Sequence, residues 1–179
     1  MKTLIACISI IGVVILVGFA GFGLKTVKKS NQEFLRLHVR ANSNSKYDQD
    51  AKNLVRQSVV NELTPLLYNA QNKQAAMYKL RDNLSKIQAA ANKTLENNGY
   101  KYTATIGIKS EVFPTRSYTT QEVNLTLPEG LYDALILELG EGKGDNWWCC
   151  IYPPLCFLEN NTTDGVKYKS KILELLKKY

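Results

Sequence analysis

Residues Leu4 to Leu24 form a run of 21 residues without a charge, bounded by Lys2 and Lys25. No other segment of the chain is apolar for long enough to cross a bilayer, so two helical spans are excluded. About twenty residues at roughly 1.5 Å rise each match a hydrocarbon core of roughly 30 Å. The run therefore reads as an uncleaved anchor or as a secretory signal with Lys2 as its charged n-region. Gly18 and Ala20 make a small-x-small site, with cleavage after Ala20. A core helix of a soluble domain would show a polar face, which this run lacks. The flanking charges lean the other way. Lys25, Lys28, Lys29, Arg36 and Arg40 follow the run and only Lys2 precedes it, a bias that by itself favours a cytoplasmic C-terminal part. The expectation is export, with residues 1–24 as signal or anchor, 25–33 as a basic tether and 34–179 as one extracytoplasmic domain.

The chain of 179 residues is the size of about one domain, and its 22% charged and 45% hydrophobic residues are ordinary for a globular chain. Leu35-Arg36-Leu37-His38-Val39 alternates apolar and polar and reads as a strand. Ser45 caps a helix that buries Ala51, Leu54, Val55, Val59 and Leu63. Pro65 should end or kink it near Thr64. A second helix starts near Asn72, buries Met77, Leu80, Leu84, Ile87, Ala91 and Leu95, and stops at Gly99.

The period then switches to two. Tyr100 to Ile108 forms one half-buried strand and Val123 to Leu127 another. Pro128-Glu129-Gly130 turns the chain so that Leu131 to Leu139 pairs back, and a glycine-rich turn at 140–144 leads into Trp147 to Tyr152. Thr163 or Asp164 caps a last helix. Grouped helices and hairpin-linked strands predict an α+β fold: an antiparallel sheet of four to five strands with helices on one face.

Candidate chemistry is thin. Cys149 or Cys150 with His38 is the one Cys–His pair the composition allows, and it would serve a secreted thiol hydrolase or transferase. Those cysteines with Cys156 and His38 could supply four metal ligands, but the spacing lacks paired CxxC knuckles, so no metal or other cofactor is expected. Gly140, Gly142 and Gly144 around Lys143 fit neither a dinucleotide fingerprint nor a P-loop. Glu138, Glu141 and Asp145 read as solvated charge by a turn. The net charge of +7 is scattered without a nucleic-acid-binding motif, so neither nucleic acid nor a small-molecule substrate is expected. Anionic lipid and wall polymer are the surfaces such a charge would meet outside the cell.

The stretch Asn146 to Phe157 stands out, with both tryptophans, Pro153-Pro154 and Cys149, Cys150 and Cys156. One bridge and one spare thiol are expected there in an oxidising compartment, with the pairing open. The stretch reads either as a cross-linked core corner or as a rigid partner-docking edge. Here the chain resembles the stage II sporulation protein R family of endospore-forming bacteria. The resemblance runs through Leu35 to Ser45 with Asp48-Gln49, Phe113 to Tyr118, Leu127 to Leu135, and Asn146 to Phe157. It implies a signalling protein rather than an enzyme. Such a protein is made in the forespore, is exported into the space between the two sporulation membranes, and triggers a membrane-embedded aspartic protease that cleaves the sigma-E precursor. Residues 4–24 would give it transient membrane association. Cys149 and Cys156 match the family's pattern and would form the disulfide. Cys150 and Arg40 depart from it, since aliphatic or apolar residues are usual there. The expected contacts are Trp147, Trp148 and Arg116, with Phe113 and Pro114 shaping the turn. A purely structural envelope protein is the remaining alternative.

Overall fold

Two side chains start the two long helices. In the computed structural model, which describes residues 33–119 and 124–157, Ser45 Oγ accepts the Asp48 N–H and opens α1 (Lys46–Leu67). Asn72 Oδ1 accepts the Ala75 N–H at 2.8 Å and opens α2 (Lys73–Asn97), which Gly99 closes with a φ of 78°. Pro65 does not end α1 near Thr64, and the helix runs on to Leu67. The carbonyl that Pro65 leaves without a donor belongs to Asn61, which is exposed, so one lost bond is cheap there.

The strands are β1 (Leu35–Arg40), β2 (Ala104–Phe113), β3 (Arg116–Thr119), β4 (Asn124–Leu127), β5 (Gly130–Leu139) and β6 (Asn146–Tyr152), followed by a 3₁₀ turn at Leu155–Phe157. Four of them form one sheet in the order β2-β5-β1-β6. The expected α+β class is present with its helices, but the sheet is mixed rather than antiparallel, because β1 and β5 run parallel. Connectivity explains this. Two successive helices bring the chain back reversed, so β2 runs antiparallel to the β5 that it borders. β5 then lies along β1 in the same direction. It takes a central place because Ala134 to Leu137 are buried without interruption, as the middle of a two-sided sheet requires.

Two pairings differ from the sequence expectation. β4 does not pair back with β5 through Pro128–Gly130; it pairs with β3 as a separate two-stranded ribbon. β5 and β6 are not neighbours either, since β1 lies between them. β2 begins at Ala104 rather than Tyr100, because Tyr102 is turned to Asp48 of α1 by a 2.7 Å hydrogen bond. The apolar leader at 4–24, most of the tether, and the last helix lie outside the described residues.

The sheet has two covered faces. On one, Leu37, Val39, Leu135, Leu137 and Ile151 pack against Val55, Val59 and Leu63 of α1 and Leu80, Ile87, Ala91 and Leu95 of α2. Each such burial stabilises by about 1.5–3 kcal/mol. Leu54, expected on that face, is 41% exposed. On the other face Phe113, Tyr132, Ala134, Ile136 and Cys150 form a smaller core, with Tyr118, Leu125 and Leu127 of the β3–β4 ribbon packed onto it.

Candidate functional site

The polar residues of β1 define this smaller core. Alternation aims Arg36, His38 and Arg40 away from the helices. On a half-wet strand they would reach water, but Arg36 and His38 are 0% and 1% exposed. His38 Nδ1 lies 2.8 Å from Glu111 Oε2. Its ring stacks on Trp148 at 3.6 Å between centroids, and Phe113 meets it edge-on. Burial, with the neighbouring charge of Arg40, lowers the imidazole pKa to about 4 against the opposing pull of Asn146 and Glu138. Glu111 also opposes burial, and the ring stays neutral at pH 7. A carboxylate only accepts, so Nδ1 carries the proton and Nε2 is left as an acceptor with no partner. Arg40, the family departure, bridges Glu111 and Glu138, so this extra charge is paired.

Arg36 is the more unusual group. Its Nε donates to the Cys149 carbonyl at 3.0 Å, and its Cζ lies 4.6 Å from the Phe113 ring centre and 4.8 Å from that of Tyr132. Nη1 and Nη2 are buried without hydrogen-bond partners, and so is the Tyr118 hydroxyl. Two aromatic faces return about 1–4 kcal/mol to a desolvated cation. Two unmatched nitrogens forfeit about 2–6 kcal/mol. The guanidinium is therefore held in place but not satisfied.

The expected contact residues fall in three places. Phe113, fully buried, is the hub that touches Arg36, His38, Tyr132 and Trp148, the last at 4.6 Å. Half-buried Pro114 turns the chain from β2 toward β3, and Arg116 is exposed at the start of β3. Trp147 and Trp148 are half-buried neighbours on β6 that face opposite ways: Trp148 onto His38, Trp147 onto the helix side, where Arg56 lies 5.2 Å from its ring. β6 is an edge strand of the sheet. A Cys149–Cys156 disulfide ties it to the 3₁₀ turn that follows. Arg36, Glu111, Tyr118, Tyr132 and Arg56 escaped the sequence reading. Only the charge between Leu35 and Leu37 hinted at one of them.

The thiol chemistry does not assemble. Cys149 is in the disulfide and belongs to the helix-side core, whereas His38 belongs to the opposite face. Cys150 is free and buried; burial pushes its pKa up to about 12, and its Sγ donates to the Tyr152 carbonyl at 3.1 Å. A neutral thiol in that setting is no nucleophile. Among the described residues, no cluster of three His, Cys, Asp or Glu side chains could hold a metal ion.

The glycine-rich turn also has another job. The N–H groups of Gly140, Glu141, Gly142, Lys143, Gly144 and Asp145 all donate within the protein, three of them to Ala41 O, Asn42 O and Asn42 Oδ1 and one to Asn44 Oδ1. No cradle for phosphate is left. Gly140 has a φ of 56°, and a Cβ there would run into the Asn42 side chain. The segment after β1 is thus a polar knot. At its centre Asp48 accepts from Asn42 (2.9 Å), Ser43 (2.5 Å) and Tyr102 (2.7 Å). Burial would raise the Asp48 pKa, but these bonds outweigh it and hold the carboxyl below its ordinary value.

A two-face α+β domain with a stapled edge strand, and with its cysteines bonded or buried, presents surfaces for recognition. The comparisons with known proteins name the class. The family model of stage II sporulation protein R matches residues 31–162. Stage II sporulation protein R of Bacillus subtilis (strain 168) is 34% identical over 176 residues, covering 93% of this chain and 75% of that protein. The chain belongs to the stage II sporulation protein R family, and so to the signalling proteins of sporulation. No solved structure matches it.

Proposed function

We propose that this protein is an exported signal of endospore formation. It acts in the space between the two sporulation membranes on a membrane-embedded aspartic protease, which then processes the sigma-E precursor. The family match over residues 31–162 carries this reading. The disulfide supports an oxidising location, and the apolar run at 4–24 supports export or anchoring. The docking edge is β6 with Trp147 and Trp148, and Arg116 on β3 is a further contact. Phe113 packs on Trp148, and Pro114 turns the chain toward Arg116.

The mechanism requires only that the domain bind the active arrangement of the protease more tightly than the inactive one. A preference of about 1.4 kcal/mol shifts the population tenfold, and about 5.5 kcal/mol switches it almost completely. A strand edge held by a disulfide and by stacked rings loses little freedom on docking, so more of its contact energy is available as preference. The test is reconstitution. The chain lacking residues 1–24 is added to vesicles that hold the protease and the sigma precursor, and cleavage is followed against dose. Dose-dependent cleavage is expected, and its absence with folded protein would remove the activator reading.

A further inference from the structure

Arg36 and Tyr118 carry the strongest chemical signal on the molecule that the function above does not use. The guanidinium lies on the second strand from the sheet's edge, fully buried, with one of its three nitrogens bonded and two without partners. It acts on Tyr118 of β3 through its charge and from side-chain hydrogen-bonding range, but the buried Tyr118 hydroxyl, like Nη1 and Nη2, completes no well-formed hydrogen bond. Among the described residues no carboxylate pairs with Arg36, and Glu111 and Glu138 are bonded to Arg40. The Cys150 thiol, which also feels the charge of Arg36, is kept protonated by burial and does not neutralise it.

We infer that Arg36 is the receptor for a carboxylate on an aspartate or glutamate side chain of the partner protein. This rests on the reading that the protein acts by binding another protein. A carboxylate takes Nη1 and Nη2 in parallel, the geometry in which guanidinium binds best, and Tyr118 adds a third donor to the same group. Phosphate is the poorer fit, because the wall is Phe113, Tyr132 and Leu127, and burying a second negative charge among them is costly. Access comes through the β3–β4 ribbon. It has four residues in each strand and, among the described residues, no ladder pairing with the main sheet; Tyr132 of β5 donates to the Pro128 carbonyl just after β4, and few of the ribbon's side chains are buried. Such a ribbon opens at low cost. A docked carboxylate would thus couple the opening of the ribbon to recognition.

The test uses the full chain in detergent micelles, labelled with ¹⁵N-arginine, and follows the Arg36 Nε–H resonance. Sodium acetate is titrated against sodium chloride and inorganic phosphate at matched ionic strength. A saturable shift with acetate is expected, with at least a tenfold weaker response to phosphate. Tyr118→Phe should weaken acetate binding threefold or more. Leu125→Ser, which loosens the ribbon without touching Arg36, should tighten it several-fold. A resonance unmoved by acetate overturns the assignment, and one moved equally by phosphate replaces it with a headgroup or free-phosphate site. Unchanged affinity in both variants removes Tyr118 and the ribbon from it. Because this titration contains no protease, it can fail while precursor processing succeeds, and the reverse.

Discussion

The polar knot at 41–49 and the Arg36 face adjoin the two ends of one strand, and they treat buried polarity in opposite ways. In the knot, Asp48 collects three side-chain donors, and the loop at 140–145 gives every one of its N–H groups to an acceptor. On the Arg36 face, two nitrogens of Arg36, one of His38 and the hydroxyl of Tyr118 complete no well-formed hydrogen bond. Both regions fall within stretches that carry the family resemblance. Satisfied polarity closes loops and fixes the register of the sheet; unsatisfied polarity costs stability without fixing anything. The first is architecture, and the second is where recognition by a partner has its best foothold.

Breaking the knot should have the largest effect on the fold. Asp48→Ala strands the donors of Asn42, Ser43 and Tyr102 and removes a charge at the N-terminus of α1. A loss of about 3–5 kcal/mol is expected, read as a drop in the urea midpoint. Signalling should fall only in proportion to the folded fraction. Next comes the staple. Cys149→Ser with Cys156→Ser opens a loop whose ends are seven residues apart. The chain-entropy relation gives about 2.5 kcal/mol for that length. If the double variant stays folded and keeps its activity, the clamp serves stability alone.

How much of this the sequence carried differs between the two regions. Ser45, Asn72 and Gly99 announced both helices, since caps are local chemistry. The helix-side core was legible from periodicity, except at Leu54. The sheet order was not, because nothing local distinguishes a strand that pairs with its chain neighbour from one that pairs across a gap. Val123–Leu127 and Leu131–Leu139 looked like a hairpin, yet Leu127 pairs with Arg116. That one displacement puts a ribbon over the far side of the sheet and buries what alternation marked as wet, which is why Arg36 and Tyr118 went unnoticed. The Asn146–Phe157 stretch was recognisable from its unusual composition, although of its two tryptophans only Trp148 lies on the far face, against His38.

Acid should take the two regions apart in separate pH windows. For His38 the folded value, about 4, lies below the ordinary 6.5. Between these values the unfolded chain takes up the proton and the folded one does not. Stability therefore declines as pH falls from 6.5 to about 4, by about 3 kcal/mol. Asp48 has the opposite displacement relative to its charged form. Its contribution is present above 3.8 and is lost only below that, as the folded carboxyl protonates. His38→Phe, which still stacks on Trp148, should flatten the upper window and leave the lower one in place. Urea midpoints measured every half unit from pH 3 to 7 would show it, and an unchanged upper slope would assign that window to another group.

The smallest effect on stability should come from the residue with the most to say about function. Arg36→Met keeps a long side chain against Phe113 and Tyr132 and removes two unpaired nitrogens at the cost of one bond to the Cys149 carbonyl. Replacing buried charge by an apolar chain of similar length is often neutral or stabilising. The urea midpoint should therefore move by no more than about 1 kcal/mol in either direction, because the nitrogens gave the isolated fold little. If the variant instead unfolds by several kcal/mol, Arg36 is architecture like Asp48, and the contrast between the two regions disappears. If it folds normally and precursor processing is lost, then the buried charge is retained for an encounter outside this chain. The cost its burial imposes on the free protein then becomes part of the preference that the partner's carboxylate exploits.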